Sequence, residues 1–312
     1  MSSRISFLEL IKRRVVLFDG AMGTSLITSG MAAGDCPEEW NLSHGEIIAG
    51  VHRAYARVGA DVLQTNTLGG TPMKLKASGL DGRAGEINAQ AVRLARQSCP
   101  DHCYVAGDIG PTGQFLPPVG TRTPEELRDT FREQALALAG EGVDLFIIET
   151  FYDLGEILLA VEAVRSVSDR PVAATLSFEK KPRGFFTMMG DTPEDCARRL
   201  VAAGADVVGT NCNLGSAEMA EFAPLWRQAA EGPVLIQPNA GQPQVVDGRL
   251  HYQQKPEAFT EDIIAIARSG IDAVGGCCGT TPEFIELIRR RLTEEGFMEE
   301  KGGTKQAGKE TD

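Results

Sequence analysis

Eight times along this chain a short apolar, β-branched run is followed by a longer amphipathic segment, and few folds satisfy that order. The runs that read as strands are Val15–Asp19, Asp61–Asn66, Tyr104–Ile109 and Leu145–Glu149, then Val172–Phe178, Asp206–Asn211, Val234–Pro238 and Ala273–Gly275. Helical patterns follow each one, at Gly45–Val58, Glu86–Gln97, Pro124–Ala139, Gly155–Val167, Pro193–Ala203, Glu218–Ala230, Pro256–Arg268 and Pro282–Leu292. Proline or an acidic residue opens several of them, as first helical turns favour. Runs such as VDLFIIET are near-continuously apolar, the pattern of parallel strands covered on both faces. The expected architecture is α/β: a single (β/α)8 TIM barrel. An open doubly wound sheet is the alternative, but the glycine-rich nucleotide fingerprint GxGxxG is missing.

Loop lengths favour the barrel. Turns from helix into strand are short (VGAD, GEGVD, AAGAD, RSGID), whereas segments 20–44, 67–85 and 179–192, which leave strands, are long. In this fold the loops after the strands build the active face, and long loops in a compact domain usually serve function. Residues 15–296 are assigned to the barrel and 1–14 to an N-terminal extension, read as a short helix near the closed end. Residues 297–312, almost without apolar content, are expected to form a disordered tail.

Composition narrows the function classes. With 43 acidic against 31 basic residues, a net charge of −12, the chain is not expected to hold nucleic acid. Its longest apolar stretches are strand-sized, far short of the roughly 18 residues of a spanning helix, so no membrane partner is expected. The N-terminus breaks its apolar run with Glu9 and Lys12 and does not read as a signal peptide. Seven cysteines are too sparse, and odd in number, for a disulfide scaffold; the expected compartment is the cytoplasm.

Polar and sulfur residues gather at the ends of the strand runs. They are Asp19, Asn66, Asp108 and Glu149, then Cys212, Asn239 and the adjacent pair Cys277–Cys278. A barrel brings these positions to one mouth. Three thiols there suit zinc, which favours thiolates in tetrahedral geometry and keeps a fourth place for a substrate. Adjacent cysteines cannot both point inward from a regular strand; the glycines of GGCCG give the backbone freedom to turn them together. Buried small hydrophobes, or a disulfide, are the competing readings. A free thiol, with a pKa near about 8.5, is mostly protonated at neutral pH, and coordination deprotonates it. Three thiolates plus a substrate thiolate leave zinc with excess negative charge, which keeps the bound sulfur nucleophilic and suits S-alkylation.

The segments FDGAMGT (18–24), ADVLQTNT (60–67), GDIGPTG (107–113), VDLFIIET (143–150), GTNCNLG (209–215), QPNAG (237–241) and GGCCGTTPE (275–283) resemble the homocysteine S-methyltransferase family. The nearest likeness is to the homocysteine-binding module of cobalamin-dependent methionine synthase, running in order from about residue 14 to 292. The resemblance implies that Cys212, Cys277 and Cys278 bind zinc. It also implies that Asp19 and Glu149 hold the substrate ammonium, that backbone N–H groups around Gly20 and Ala21 meet its carboxylate, and that Asn239 approaches metal or substrate. The implied reaction gives methionine from homocysteine.

Three donors fit such a family: methylcobalamin on a separate corrinoid protein (its methyl folate-derived in one variant), S-methylmethionine, or betaine. The cobalamin signature Asp-x-His-x-x-Gly is missing, because Leu42, Gly50, Pro100 and Arg249 stand two residues before the four histidines. GGCCGTTPE resembles the corrinoid-linked branch, S-methylmethionine enzymes typically carrying Arg where Gly279 stands, so the corrinoid donor is preferred. A non-catalytic zinc-thiolate subunit that binds homocysteine is the alternative of another class. An aldolase-like Schiff base lacks a strand-end lysine.

Four other features stand outside this site. Cys99, His102 and Cys103 sit in CPDHC, a turn entering the third strand at the opposite end; Cys36 and Cys196 have no partner motif. His44 stands where the first barrel helix begins, and Phe185, Phe186, Met188 and Met189 form an apolar loop that either packs or covers the mouth.

Overall fold

A computed structural model describes residues 4–32, 34–246 and 249–300. Eight parallel strands carry the molecule: β1 (Val16–Leu17), β2 (Val62–Gln64), β3 (Tyr104–Ile109), β4 (Leu145–Phe151), β5 (Val172–Leu176), β8 (Val207–Gly215), β9 (Val234–Asn239) and β12 (Ala273–Val274). They pair in the order β1-β12-β9-β8-β5-β4-β3-β2. A bridge between Phe18 and Val62 closes the ring, with the Asp19 N–H donating to the Val62 carbonyl at 3.1 Å and the Asp61 N–H to Leu17 at 2.7 Å.

Alternation along the strands sorts the core into two layers. Val16, Phe18, Val62, Tyr104, Ala106, Leu145, Ile147, Ala173, Val207, Leu235 and Ala273 fill the barrel interior. Residues of opposite parity face the surrounding helices: α4 (Gly45–Arg57), α6 (Ala84–Ser98), α7 (Pro124–Gly140), α8 (Leu154–Arg165), α9 (Pro193–Ala203), α10 (Ser216–Ala229), α11 (Pro256–Arg268) and α12 (Pro282–Glu294). Helix α1 (Phe7–Arg13) begins in a Ser6–Glu9 capping box and inserts Phe7, Leu10 and Ile11 into the interior layer. It plugs the N-terminal end of the barrel, so the free end is the one where the strands finish.

One device recurs at the closed end. Gly59, Gly142, Gly204 and Gly270, all at positive φ, end helices two residues before an aspartate that opens a strand. Each carboxylate accepts a backbone N–H from the preceding barrel strand: Asp61 from Leu17 (2.9 Å), Asp144 from Val105 (2.8 Å), Asp206 from Val172 (2.8 Å) and Asp272 from Val234 (3.1 Å). Each also holds arginine. Asp61 takes Arg14 (2.8 Å) and Arg289 (3.0 Å), Asp144 takes Arg96 (2.9 Å) and Arg4, Asp206 takes Arg165, and Asp272 takes Arg227 (2.9 Å).

The eight helix–strand units match the sequence pattern within a few residues. Several elements do not appear in it, among them a helix and two hairpins. Helix α2 (Met22–Thr28) follows β1, and two antiparallel hairpins, β6 (Glu179–Lys181) with β7 (Gly184–Phe186) and β10 (Pro243–Val246) with β11 (Arg249–Tyr252), rise from the open end. Their strands are short and charged or masked by loop chemistry, so apolar periodicity is too weak to mark them.

The tail boundary at 297 also shifts. Phe297 and Met298 pack on the outer core, and the Phe297 carbonyl accepts the Val15 N–H at 3.0 Å. Two apolar residues are enough to hold that turn down, which a composition window over 297–312 averages away; residues 301–312 lie outside the described residues. Among the described residues, no helix is long and apolar enough to cross a membrane.

Candidate metal centre and acceptor pocket

The three cysteines reach one point because two strand ends abandon regular geometry. Strand β8 bulges against β9 between Asn211 and Gly215, where Cys212 and Asn213 adopt left-handed conformations (φ 59° and 60°). Non-glycine residues rarely hold that conformation outside functional sites. The bulge swings Cys212 out of the ladder toward the segment after β12. There Gly276 and Gly279 flank the cysteine pair. A Cβ at Gly276 would lie 2.3 Å from Thr280 Oγ1, and one at Gly279 (φ 83°) would lie 2.2 Å from the Tyr252 ring. The loop is pinned by Cys277 N–H to Pro238 (2.8 Å), Ala240 N–H to Cys278 (2.9 Å) and Thr280 Oγ1 to Cys277 (2.7 Å).

Cys212 Sγ and Cys278 Sγ stand 4.0 Å apart, and all three sulfurs lie within 4.8 Å of one another. Among the described residues no other His, Cys, Asp and Glu group is arranged to hold a metal ion. The charges are mutually dependent. Hydrogen bonds from Cys212 and Cys277 pull the Cys278 thiol down to about 3. At Cys212 the bond from Cys277 favours the thiolate, but the bond to Cys278 and burial outweigh it and raise the thiol to about 12. Cys277 is also raised, by its bonds to Cys212 and Cys278. Each thiolate disfavours ionisation of its neighbours, and a cation among them would favour it.

A cavity of about 190 Å³ opens beside the sulfurs. Gly20, Ala21, Glu149 and the three cysteines line it, with Glu38, Gln64, Asp108 and Thr150. Among the described residues no basic side chain lines it. Burial, together with the charge of Cys278, pushes Glu149 up to about 8. A second bulge, with Thr150 at φ 67°, lies just beyond Glu149.

Two expected contacts sit elsewhere. Asp19 is buried but does not line the cavity; its Oδ2 accepts the Gln64 N–H at 3.0 Å and its Oδ1 has no partner. Parity explains this, since Phe18 is the inward residue of that strand. Asn239 is likewise buried behind the wall with Oδ1 unpartnered. The Ala21 N–H is already taken by Thr280, at 3.2 Å to Oγ1.

Asn211, within GTNCNLG but given no role by the sequence, joins the cysteine cluster to Glu149 in the cavity wall. Its Oδ1 accepts the Thr150 N–H and Thr175 Oγ1 (both 2.8 Å), while Nδ2 donates to Thr150 Oγ1 (2.8 Å), Glu149 Oε2 (3.2 Å) and Cys277 Sγ (3.9 Å). Replacing it with alanine is expected to slow turnover at least about tenfold, as outer-shell losses at metal sites do, with Glu149 freed to reorient. Steady-state kinetics with unchanged circular dichroism checks this.

The remaining features resolve individually. Asn66 stitches loops, donating to Pro37 (2.7 Å) and Asn41 (3.1 Å). His44 starts α4 by position alone: its ring stacks on Trp40 at 4.2 Å and makes no capping bond. Phe185 packs on Phe222 (4.1 Å), whereas Met188 and Met189 stay exposed. Cys99 and Cys103 sit at the closed end, before β3.

Comparison with known proteins agrees with this geometry. The family model for homocysteine S-methyltransferase matches residues 16–292. Methionine synthase of Mycobacterium leprae is 31% identical over 297 residues, covering 90% of this chain and 24% of that protein. Methionine synthase of Mycobacterium tuberculosis is 31% identical over 299 residues, covering 90% and 25%. The chain thus spans about a quarter of the length of the curated relatives it matches. In fold it is similar to the homocysteine methyltransferase MmuM from Escherichia coli, metallated form (TM-score 0.73, 23% identity, 91% of this chain and 98% of that one). With its barrel and with a family match spanning nearly all of it, this chain belongs to the homocysteine S-methyltransferase family of enzymes.

Proposed function

We propose that this chain is the acceptor half of a methyl transfer, holding zinc on Cys212, Cys277 and Cys278 and converting homocysteine to methionine. The methyl is supplied by methylcobalamin carried on a separate corrinoid protein. The observation that carries this reading is the sulfur trio beside a small acidic cavity. Tetrahedral zinc with Zn–S bonds of about 2.3 Å needs sulfurs about 3.8 Å apart. The 4.0 Å separation of Cys212 and Cys278 is close to that, and the donor set is the one zinc prefers. Zinc, when bound, would supply the positive charge that lets a substrate thiol shed its proton near neutral pH.

The protein's own groups do the rest. Glu149, held by Asn211, orients the amino acid by its ammonium, and the enclosed wall keeps water from the sulfur. In the transfer the S–C bond forms as the donor–methyl bond breaks, and that bond's electron pair stays with the donor. Methionine then leaves as a weakly ligating thioether.

A corrinoid donor is favoured by two features of the open end. Ile27, Leu68, Val119, Met188 and Met189 are exposed on segments that leave β1, β2, β3 and β5, the end of the barrel that a protein donor would approach. Gly279, where S-methylmethionine enzymes resembling this chain typically carry Arg, is backed by the Tyr252 ring and has no room for a side chain. With homocysteine as acceptor, methylcobalamin is expected to support turnover at least about tenfold faster than S-methylmethionine or betaine. Equal rates with S-methylmethionine would reverse the donor assignment. Zinc and homocysteine binding with no transfer from any of the three would favour the non-catalytic subunit.

A further inference from the structure

Two stretches of the cavity wall come from opposite ends of the chain: residues 20–24, which leave β1, and residues 276–278, which leave β12. One side chain stands between them. Thr280 is fully buried and fills room that two glycines leave, since a Cβ at Gly20 would lie 2.7 Å from Thr280 Oγ1 and one at Gly276 2.3 Å from it. Neither glycine sits at positive φ, so close approach, not backbone conformation, excludes a side chain there.

The hydroxyl uses both of its hydrogen-bonding functions. It donates to the Cys277 carbonyl at 2.7 Å and accepts the Ala21 N–H at 3.2 Å. The main chain repeats the link. Ala21 N–H also reaches the Thr280 carbonyl (3.3 Å), Thr280 N–H the Cys277 carbonyl (3.2 Å) and Gly276 N–H the Asp19 carbonyl (3.1 Å). Gly279 N–H donates to Thr24 Oγ1 at 3.1 Å. From behind, the Tyr55 hydroxyl of α4 lies 3.0 Å from the Thr280 carbonyl and 3.2 Å from that of Ala21. Removing the Thr280 hydroxyl alone would leave the Ala21 N–H and the Cys277 carbonyl with their main-chain partners, so the loop would loosen without stranding a buried group.

We infer that Thr280 is a positioning residue of the acceptor site: its hydroxyl locks the loop bearing Cys277 and Cys278 to residues 19–24, so that two of the three sulfurs and the adjoining cavity wall are set as one body. Thr280 does not line the cavity and acts through the Cys277 carbonyl and the Ala21 N–H. Cys212 is placed separately, by the bulge of β8, so a loosened loop would spoil the spacing of the trio from one side. The consequence for zinc rests on the proposed function; the lock itself belongs to the polypeptide.

The test compares Thr280→Val, which keeps the shape and removes the hydroxyl, with Thr280→Ser, which keeps the hydroxyl. Zinc affinity, read by competition with a chromophoric chelator, should fall about 10- to 100-fold in Thr280→Val, the range of outer-shell losses, and stay within about threefold of the parent in Thr280→Ser. Amide hydrogen exchange of the zinc-free proteins should show Thr280→Val less protected over residues 19–24 and 276–280 and unchanged over β3, β4 and β5. Parent-like affinity and protection in Thr280→Val, an equal loss in Thr280→Ser, or a loss of protection spread evenly through the barrel overturns the inference. Should Thr280→Val not fold, Thr280→Ala, which adds no bulk, is read in its place. Failure of the proposed function looks different: the parent would then take up no zinc, while exchange would still separate the two variants.

Discussion

Cys277→Ala protein, purified without oxygen, is expected to carry less than about a tenth of a zinc per chain where the parent carries about one, and to lose at least about a thousandfold in turnover. Cys277 shares its charge with Cys212 and Cys278 and is also the sulfur that Asn211 addresses. Two thiolates and an open pocket are a poor chelate, so metal is lost rather than merely displaced. The backbone of the loop is fixed by Pro238 and Thr280 through main-chain groups that alanine preserves, so circular dichroism should not change. Zinc-edge X-ray absorption gives an independent reading: the parent gains one sulfur neighbour with homocysteine, and the variant has no site to gain it. A variant that kept its zinc and its rate would return the three cysteines to ordinary packing residues.

Asp61→Ala should do the reverse, damaging the fold and sparing the site. Asp61 is 97% buried and accepts from both Arg14 guanidinium nitrogens, from Arg289 and from the Leu17 N–H. Removing one partner of a buried ion pair strands the others and costs about 3–5 kcal/mol. Arg289 is about a third exposed and Arg14 less so, and solvent can screen both. The lower figure, about 3 kcal/mol, is therefore expected. Thermal unfolding should fall by about 4–5 °C for a chain of 312 residues. Zinc content and turnover well below the transition should match the parent, because Asp61 stands at the plugged end and the cysteines at the open one. Lost zinc without lost stability would contradict that division.

The sequence displays the parts of this molecule that repeat or that carry unusual chemistry. Apolar runs covered on both faces marked all eight barrel strands, and three thiols at strand ends marked the sulfur cluster beside the cavity. What escaped was set by parity and by strain. Asp19 and Asp108 look equivalent as acidic residues at strand ends, yet Phe18 takes the inward position on one strand and Asp108 takes it on the other. The left-handed turn at Cys212 and Asn213 leaves no compositional trace, since glycine, its usual marker, is missing there. Asn211 was hidden by its ordinariness: a buried amide declares itself only through the five groups it touches.

The carboxylates at the closed end recur on every second barrel strand, each reaching back to the strand before it. The ring is thereby divided into quarters, two strands apiece: β1 with β2, β3 with β4, β5 with β8, β9 with β12. Such a barrel divides into four similar parallel β–α–β modules whose internal seams carry an aspartate bond besides the ladder, while the joints between them rest on the ladder itself. Gly232 and Pro233 precede β9, so no aspartate fastens the joint between the third and fourth modules. Cys212 belongs to the third module, and Cys277 and Cys278 follow the fourth. A metal gripped by all three would tie the third module to the fourth at the opposite rim, across the longest ladder of the barrel.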